Sequence, residues 1–389
     1  MSTPFQHTPA GPVIFGAGVA ATVGDKTLLK KHERVLVMTD AVVRRAGLID
    51  GVIASLGERA TIVDDAAVPD GDCQHVEALA ARAKDAGITA IVAVGGGSVI
   101  DSAKGVAAVL ATGKPLHELE GVARVRTRTM PLVAIPTTAG TGSEATQFAV
   151  IKDRGVTDGV PTPIKRILVD TNLIPTLAVL DPTLLVGLPA TVSCATAVDV
   201  VTHAIEALGS RMRNPIGSAM ATEAVRLMLR DGALARALRT PGDLDARADC
   251  LMASHLAGQA VNTSMLGACH ALAHVVGAVA GIPHGVANGL FLVDVMRING
   301  AKVGDIYGRL ASAIGVVGAS DDVSALIGAV DAFVHDTAGI PRRLRDVAPG
   351  LTEEALPGLA RAAALDPDLP TNPVRLDEAA LLSILQARW

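Results

Sequence analysis

Asp199 and His203 lie four residues apart in an apolar run, Ala195-Thr-Ala-Val-Asp199-Val-Val-Thr-His203, that reads as a helix. On a helix this spacing puts a carboxylate and an imidazole on one face. A carboxylate on such an apolar face is costly unless it is paired or ligated. His270 and His274 repeat the four-residue spacing, and His284 follows an Ile282-Pro283 break. Three histidines in so short an uncharged stretch are hard to explain as packing, and neutral imidazole is a good ligand for Zn2+ or Fe2+. Two of the three complete a four-coordinate site beside Asp199 and His203, which leaves the third for proton handling. Spacing does not choose between His270 and His274 as the ligand. A metal-free Asp199–His203 hydrogen bond is the plainer alternative for the first pair. His7, His32, His75, His117, His255 and His335 lack such company and read as surface or structural residues.

A second chemistry is written at the other end of the chain. The run Ala90-Ile-Val-Ala-Val94 enters Gly95-Gly96-Gly97-Ser98, and Val99-Ile-Asp101-Ser-Ala-Lys104 then opens a helix. Glycines remove the Cβ atoms that keep a pyrophosphate from the backbone, and a helix N-terminus offers free N–H groups. Gly96, Gly97, Ser98 and Asp101 are therefore candidate cofactor contacts, against the alternative of a plain strand-to-helix turn. Pro136-Thr137-Thr138-Ala-Gly140-Thr141-Gly142-Ser143-Glu144 follows another strand and adds hydroxyl donors, Thr137 and Thr138 first among them. Ligands of open parallel sheets bind at the carboxyl ends of the strands. Asp40 ends the strand Val35 to Thr39, where a carboxylate accepts from an adenosine ribose and repels a 2′-phosphate. This favours NAD over NADP, unless Asp40 only starts the next helix. Gly16-Ala-Gly18 lies in a hairpin-like N-terminal segment and lacks the strand-to-helix context of a dinucleotide fingerprint.

These side chains need two kinds of scaffold. Val35–Thr39, Ala60–Val63, Ala90–Val94, Pro131–Ile135 and Leu177–Asp181 read as buried strands. Asp72 to Ala86 carries Val76, Leu79, Ala80 and Ala83 on one stripe, a crossover helix. Strand and helix alternating in this way predict a parallel α/β sheet. Beyond Pro189 alanine-rich helical periodicity dominates, as in Ala219–Leu229 and Ala325–Val334, with a closing helix over Leu376–Arg388. At 389 residues two domains are expected, 1–188 and 189–389. A net charge of −5 gives no field to gather nucleic acid or an anionic membrane, and 2% aromatic residues leave little for base stacking. Cys73, Cys194, Cys250 and Cys269 form no CxxC pair, which suits a reducing cytoplasm. Residues 1–7 show no secretion signal. Cys250 to Val293 contains no Asp, Glu, Lys or Arg, but its histidines, asparagines and Pro283 mark buried helices rather than a membrane span.

The runs Gly95–Asp101, Pro136–Glu144, Asp199-Val-Val-Thr-His203-Ala-Ile-Glu206-Ala and Ile282-Pro-His-Gly-Val-Ala-Asn288 together resemble the iron-containing (group III) alcohol dehydrogenases. The resemblance runs from about Gly11 to Trp389. It implies a dinucleotide-binding α/β domain, an all-helical metal domain, a dehydroquinate synthase-like architecture and a site in the cleft between them. It implies Asp199, His203, His270 and His284 as ligands of Fe2+ (or Zn2+), with His274 near nicotinamide and substrate. It adds Lys165 to the NAD contacts. It implies a homodimer, through the segment near Val13 to Phe15, and a small alcohol, diol, aldehyde or ketone as substrate, with neither nucleic acid nor membrane as partner. Two departures stand out. Ala197 replaces the glycine usual two residues before the ligating Asp, and Asp366-Pro-Asp368 stands where relatives often carry Asp-Pro-Cys, which implies a more polar far wall of the substrate pocket. The alternatives are a glycerol-dehydrogenase-like or maleylacetate-reductase-like enzyme, a dehydroquinate synthase, a sensor that kept the fold, and a phosphohydrolase built on His335-Asp336.

Overall fold

The computed structural model describes residues 4–157, 160–316, 318 and 321–389, the side chains of residues 155–163 excepted. Two compact units emerge: Thr8–Thr138 with Gly142–Leu188, and Pro189–Trp389 with Ala139–Thr141 and the residues up to His7.

Among the described residues the first unit is built on nine strands: β1 (Val13–Phe15), β2 (Val35–Asp40), β3 (Ala60–Ala67), β4 (Ala90–Gly95), β5 (Gly121–Val122), β6 (Leu132–Pro136), β7 (Phe148–Thr157), β8 (Val160–Val169) and β9 (Leu177–Leu180). Six of them form a sheet in the order β1-β9-β6-β4-β2-β3, parallel throughout. The inner strands β2, β4, β6 and β9 are buried almost end to end, as continuous apolar runs covered on both faces must be. The outer strand β3 alternates instead. Helix α1 (Cys73–Asp85) is capped by Asp72, which accepts from the N–H groups of Gln74 and His75. Its stripe of Val76, Leu79, Ala80 and Ala83 is buried, and helix α2 (Gly97–Thr112) packs into the same core.

Two expectations for this unit need correction. The N-terminal segment holding Gly16-Ala-Gly18 is not a hairpin: Val13–Phe15 before it pairs in parallel with β9, Val13 opposite Ala178 and Phe15 opposite Leu180. Its partner lies far along the chain, so no local turn announces it. The second sheet, order β5-β8-β7 with β7 and β8 antiparallel, lies outside the five strands read from the pattern. Lys152, Asp153 and Arg154 face Lys165, Ile164 and Pro163 across that pair, and charges with prolines suppress the usual alternation.

The second unit is helical, with no strand among its described residues. It contains α3 (Ala190–Gly209), α4 (Leu244–Ser264), α5 (Ala268–Ala280), α6 (His284–Ala313), α7 (Leu356–Ala363) and α8 (Glu378–Ala387). The expected helices near 219–229 and 325–334 start earlier, at Pro215 and Asp322, and each closes in a π turn, Arg226–Arg230 and Phe333–Thr337. Asp377 caps α8 by accepting the Ala380 N–H. The uncharged stretch bends by 107° between α4 and α5. By length and composition α3 could cross a membrane, but 78% of that stretch is buried in the protein and it carries Asp199, His203 and Glu206. Gly285, directly after His284, lets α6 approach α3: a Cβ there would lie 1.8 Å from the Ala195 carbonyl oxygen.

Candidate metal centre

Helix α3 presents Asp199, His203 and Glu206 at intervals of four and three residues, all buried. His270 comes from the first turn of α5 and is fully buried, and His284 opens α6. His203 Nε2 lies 3.7 Å from Asp199 Oδ1, His270 Nε2 3.6 Å and His284 Nε2 3.6 Å. Tetrahedral bonds of 2.0–2.2 Å set ligand atoms roughly 3.3–3.6 Å apart. The three nitrogens therefore stand off one carboxylate oxygen by about the edge of a zinc- or iron-sized tetrahedron. One carboxylate with three imidazoles is also the donor chemistry such an ion takes. The ligand atoms of Asp199, His203 and His270 all lie within 4.8 Å of one another. The His284 side chain, 36% exposed, marks the accessible side.

The surroundings fix these rings. Glu206 accepts from His270 Nδ1 at 2.5 Å, which turns Nε2 towards Asp199. The same carboxylate accepts the N–H groups of Gly267 and Cys269, at 3.1 and 2.7 Å, and so caps α5 from a neighbouring helix. A Cβ on Gly267 would stand 2.9 Å from Glu206 Oε1, so the close approach needs glycine. Asn288, one turn after His284, donates from Nδ2 to Asp199 Oδ1 at 2.8 Å and lies 3.3 Å from both His270 Nε2 and His284 Nε2. His203 Nδ1 faces the Gly140 backbone without reaching hydrogen-bond geometry. Burial alone would raise the Asp199 carboxyl, but His203, His284 and His270 hold it well below the usual carboxylate range. Burial pushes His270 down, yet Glu206 and Asp199 outweigh it and carry the imidazole up to about 10. His203, with less carboxylate support, is lowered by burial.

His270 and His274, which spacing left as alternatives, fall into different clusters. His270 groups with Asp199 and His203, whereas His274 groups with Asp366 and Asp368. His274 Nδ1 lies 3.0 Å from Asp366 Oδ2 and 3.8 Å from Asp368 Oδ2. Its ring stacks on His284, centroids 5.3 Å apart and 14° from parallel. Burial raises the Asp366 carboxyl, but its hydrogen bond to His274 wins and holds it below the usual range. Asp368, buried beside Asp366, is pushed up to about 6. His335, the other half of a supposed His-Asp pair, spends Nδ1 on the Ile340 carbonyl at 2.7 Å, a structural contact.

In the α/β unit the two turns expected to hold a nucleotide leave neighbouring strands, with Gly95 opposite Pro136. The Thr137 N–H donates to the Gly95 carbonyl, and a Cβ on Gly96 would meet Thr138 Oγ1 at 3.3 Å. Gly97 begins α2. Ser98 Oγ accepts the Asp70 N–H at 3.0 Å, and Asp70 Oδ1 lies 3.5 Å from Lys165 Nζ. Asp70 holds a left-handed φ of 63° and also accepts the Lys152 N–H, so it ties the glycine turn to the β7–β8 pair. Asp40 caps the following helix through Oδ1, which accepts from Val42 and Val43. Asp101 is the correction here. Its carboxylate is turned inward, where it accepts the Val150 N–H at 3.0 Å and lies 3.9 Å from the buried Lys104 Nζ. Lys104 donates to the Thr146 and Phe148 carbonyls and is lowered by burial to about 8. Both residues fasten α2 to β7 instead of facing a ligand.

Sequence reasoning passed over Glu206, Asn288 and Asp70 as parts of a site. Glu206 and Asn288 had a signal, since each repeats a ligand's helical face one turn on. Asp70 had only its Pro-Asp-Gly turn.

Comparison with known proteins places the chain in a family. Residues 10–182 match the family model described as iron-containing alcohol dehydrogenase, and residues 193–389 match the C-terminal model of the Fe-containing alcohol dehydrogenase family. The chain is 32% identical over 390 residues to 1,3-propanediol dehydrogenase of Klebsiella pneumoniae, covering 98% of each protein. It is 32% identical over 377 residues to the NAD-dependent methanol dehydrogenase of Bacillus methanolicus, covering 95% of this chain and 96% of that one. A crystal structure of 1,3-propanediol oxidoreductase superposes over 100% of both chains, with a TM-score of 0.91 and 30% identity. On these matches the chain belongs to the iron-containing alcohol dehydrogenase family and is an alcohol oxidoreductase.

Proposed function

We propose that this protein is an NAD(H)-dependent, divalent-metal-dependent oxidoreductase that interconverts a small alcohol or diol and its aldehyde or ketone. The observation that carries this reading is the set of three imidazole nitrogens at 3.6–3.7 Å from one Asp199 oxygen. Asp199, His203, His270 and His284 are the proposed ligands of Fe2+, with Zn2+ as the alternative that elemental analysis separates. When bound, the ion supplies a Lewis acid for the substrate oxygen and NAD supplies the hydride acceptor.

The protein's own groups do the rest. Asp199 offsets charge, while Glu206 and Asn288 keep the donors aimed. His274 is the proton-handling group: with Nδ1–H held on Asp366, Nε2 is the nitrogen that accepts a proton. Gly96, Gly97, Ser98, Thr137, Thr138 and Lys165 are the proposed phosphate and ribose contacts. Asp40 keeps its second carboxylate oxygen for the adenosine ribose, and its charge disfavours a 2′-phosphate. Free cysteines suit a reducing cytoplasm. Val13 and Phe15 stand exposed on the end strand β1, where a second copy of the chain would pair. Light scattering of the purified protein tests the dimer.

The test of function is NADH absorbance with short alcohols before and after chelation. The reading expects NADH formation that chelation abolishes and that added Fe2+ or Zn2+ restores. Full turnover by the stripped protein would refute it.

A further inference from the structure

Asp368 stands out among the described residues as a buried carboxylate without a hydrogen-bond donor. It is 8% exposed, and the basic nitrogen beside it is His274 Nδ1 at 3.8 Å. That nitrogen carries one proton in the neutral ring, and Asp366 Oδ2 already takes it at 3.0 Å. Asp366 Oδ1 accepts the Asp368 N–H, so Asp366 is fully used and its charge adds repulsion. Burying a carboxylate with no donor is costly. His274 and His270 offset part of that cost from a distance, but neither donates to it, whereas a ligand can.

The accessible surface points the same way. The His284 and His274 side chains, 36% and 23% exposed, are the open members of the cluster. Asp368 Oδ2 lies 3.8 Å from His274 Nδ1, and the His274 ring stacks 5.3 Å from that of His284. A three-carbon alcohol separates its terminal heteroatoms by about 5 Å.

Resting on the dehydrogenase reading above, we infer that Asp368 is a specificity-determining residue. It receives a hydrogen-bond donor carried by the substrate, a second hydroxyl or an ammonium, while the reacting oxygen lies at the cluster of Asp199 and its histidines. The preferred substrates are then short alcohols with a second donor, not plain alkanols.

The test compares 1,3-propanediol, 3-amino-1-propanol and 1-propanol in the wild-type holoenzyme and in Asp368→Ala and Asp368→Asn. The wild type is expected to favour at least one donor-bearing alcohol over 1-propanol by roughly tenfold or more in kcat/KM. The two donor-bearing compounds separate a hydroxyl from an ammonium as the group received. Asp368→Ala should pull the ratio towards one, chiefly through KM. Asp368→Asn, which keeps the shape, should remove any advantage of the ammonium. Calorimetric titration of 1,3-propanediol and 3-amino-1-propanol into wild type and variants gives a readout independent of turnover: the favoured compound should bind more weakly to Asp368→Ala. Equal ratios in all three proteins, or a wild type indifferent to the second group, would overturn the assignment alone. No NADH from any of the three alcohols would overturn the dehydrogenase reading, and this one with it.

Discussion

The helical unit and the α/β unit solve opposite problems in presenting chemistry. Around Asp199 the protein offers side chains from three helices, with Asp199, His203 and His270 buried, His284 open on one side, and Glu206 and Asn288 holding His270 and Asp199. At the glycine turn it offers backbone and short hydroxyls at strand ends, and the charged residues nearby, Asp101 and Lys104, are spent on holding β7 in place. An ion needs fixed donors at one distance; a pyrophosphate needs room and N–H groups. A buried donor set therefore depends on the residues behind it, whereas a phosphate turn depends on the absence of side chains in front of it.

This contrast breaks apart if the two halves cannot be disabled separately. His284→Ala should lower turnover by roughly a thousandfold or more and take the metal with it. NAD affinity, followed by calorimetry, should stay within about twofold because the glycine turn is untouched. Gly96→Val should do the reverse, weakening NAD by about tenfold or more while metal content holds, since its side chain would press on Thr138.

Asp368 sharpens the contrast through stability. Its carboxyl rises from 3.8 unfolded to about 6 folded, chiefly through burial. Between those values the folded state holds a proton that the unfolded state releases, so its contribution to stability falls as pH rises and the penalty is complete above about 6. Asp368→Asn should then gain up to about 3 kcal/mol at pH 7 and almost nothing near pH 4. Urea unfolding at the two pH values measures the difference.

Smaller effects follow. Glu206→Gln should weaken metal affinity by about 10–100-fold, because the His270 ring loses its charged anchor. Lys165→Ala should raise the KM for NAD only by about threefold, since its link to Asp70 is long and partly exposed. Steady-state kinetics and equilibrium dialysis would resolve both.

Much of this was legible in the chain. Asp199, His203, His270, His274 and His284 could be picked out because apolar helices make titratable residues conspicuous, while only the family resemblance chose His270 over His274. The inner strands were legible because burial on both faces leaves unbroken Val, Ile and Ala. The β7–β8 pair was not, because its charges and prolines obey no period. Neither was the parallel partner of β1, since nothing near Val13 encodes contact with Ala178. Asp101 misled for a related reason: the first turn of a helix after a glycine run is where a ligand contact is expected, and spacing cannot tell an outward carboxylate from one turned towards Val150.

The most direct test of the metal centre is anomalous X-ray scattering from crystals of the metal-loaded protein, collected across the iron and zinc edges. One ion within roughly 2.3 Å of Asp199, His203 Nε2, His270 Nε2 and His284 Nε2 is the expected result. An ion held instead by His274, Asp366 and Asp368, or a fully active crystal form with no ion at Asp199, would contradict it.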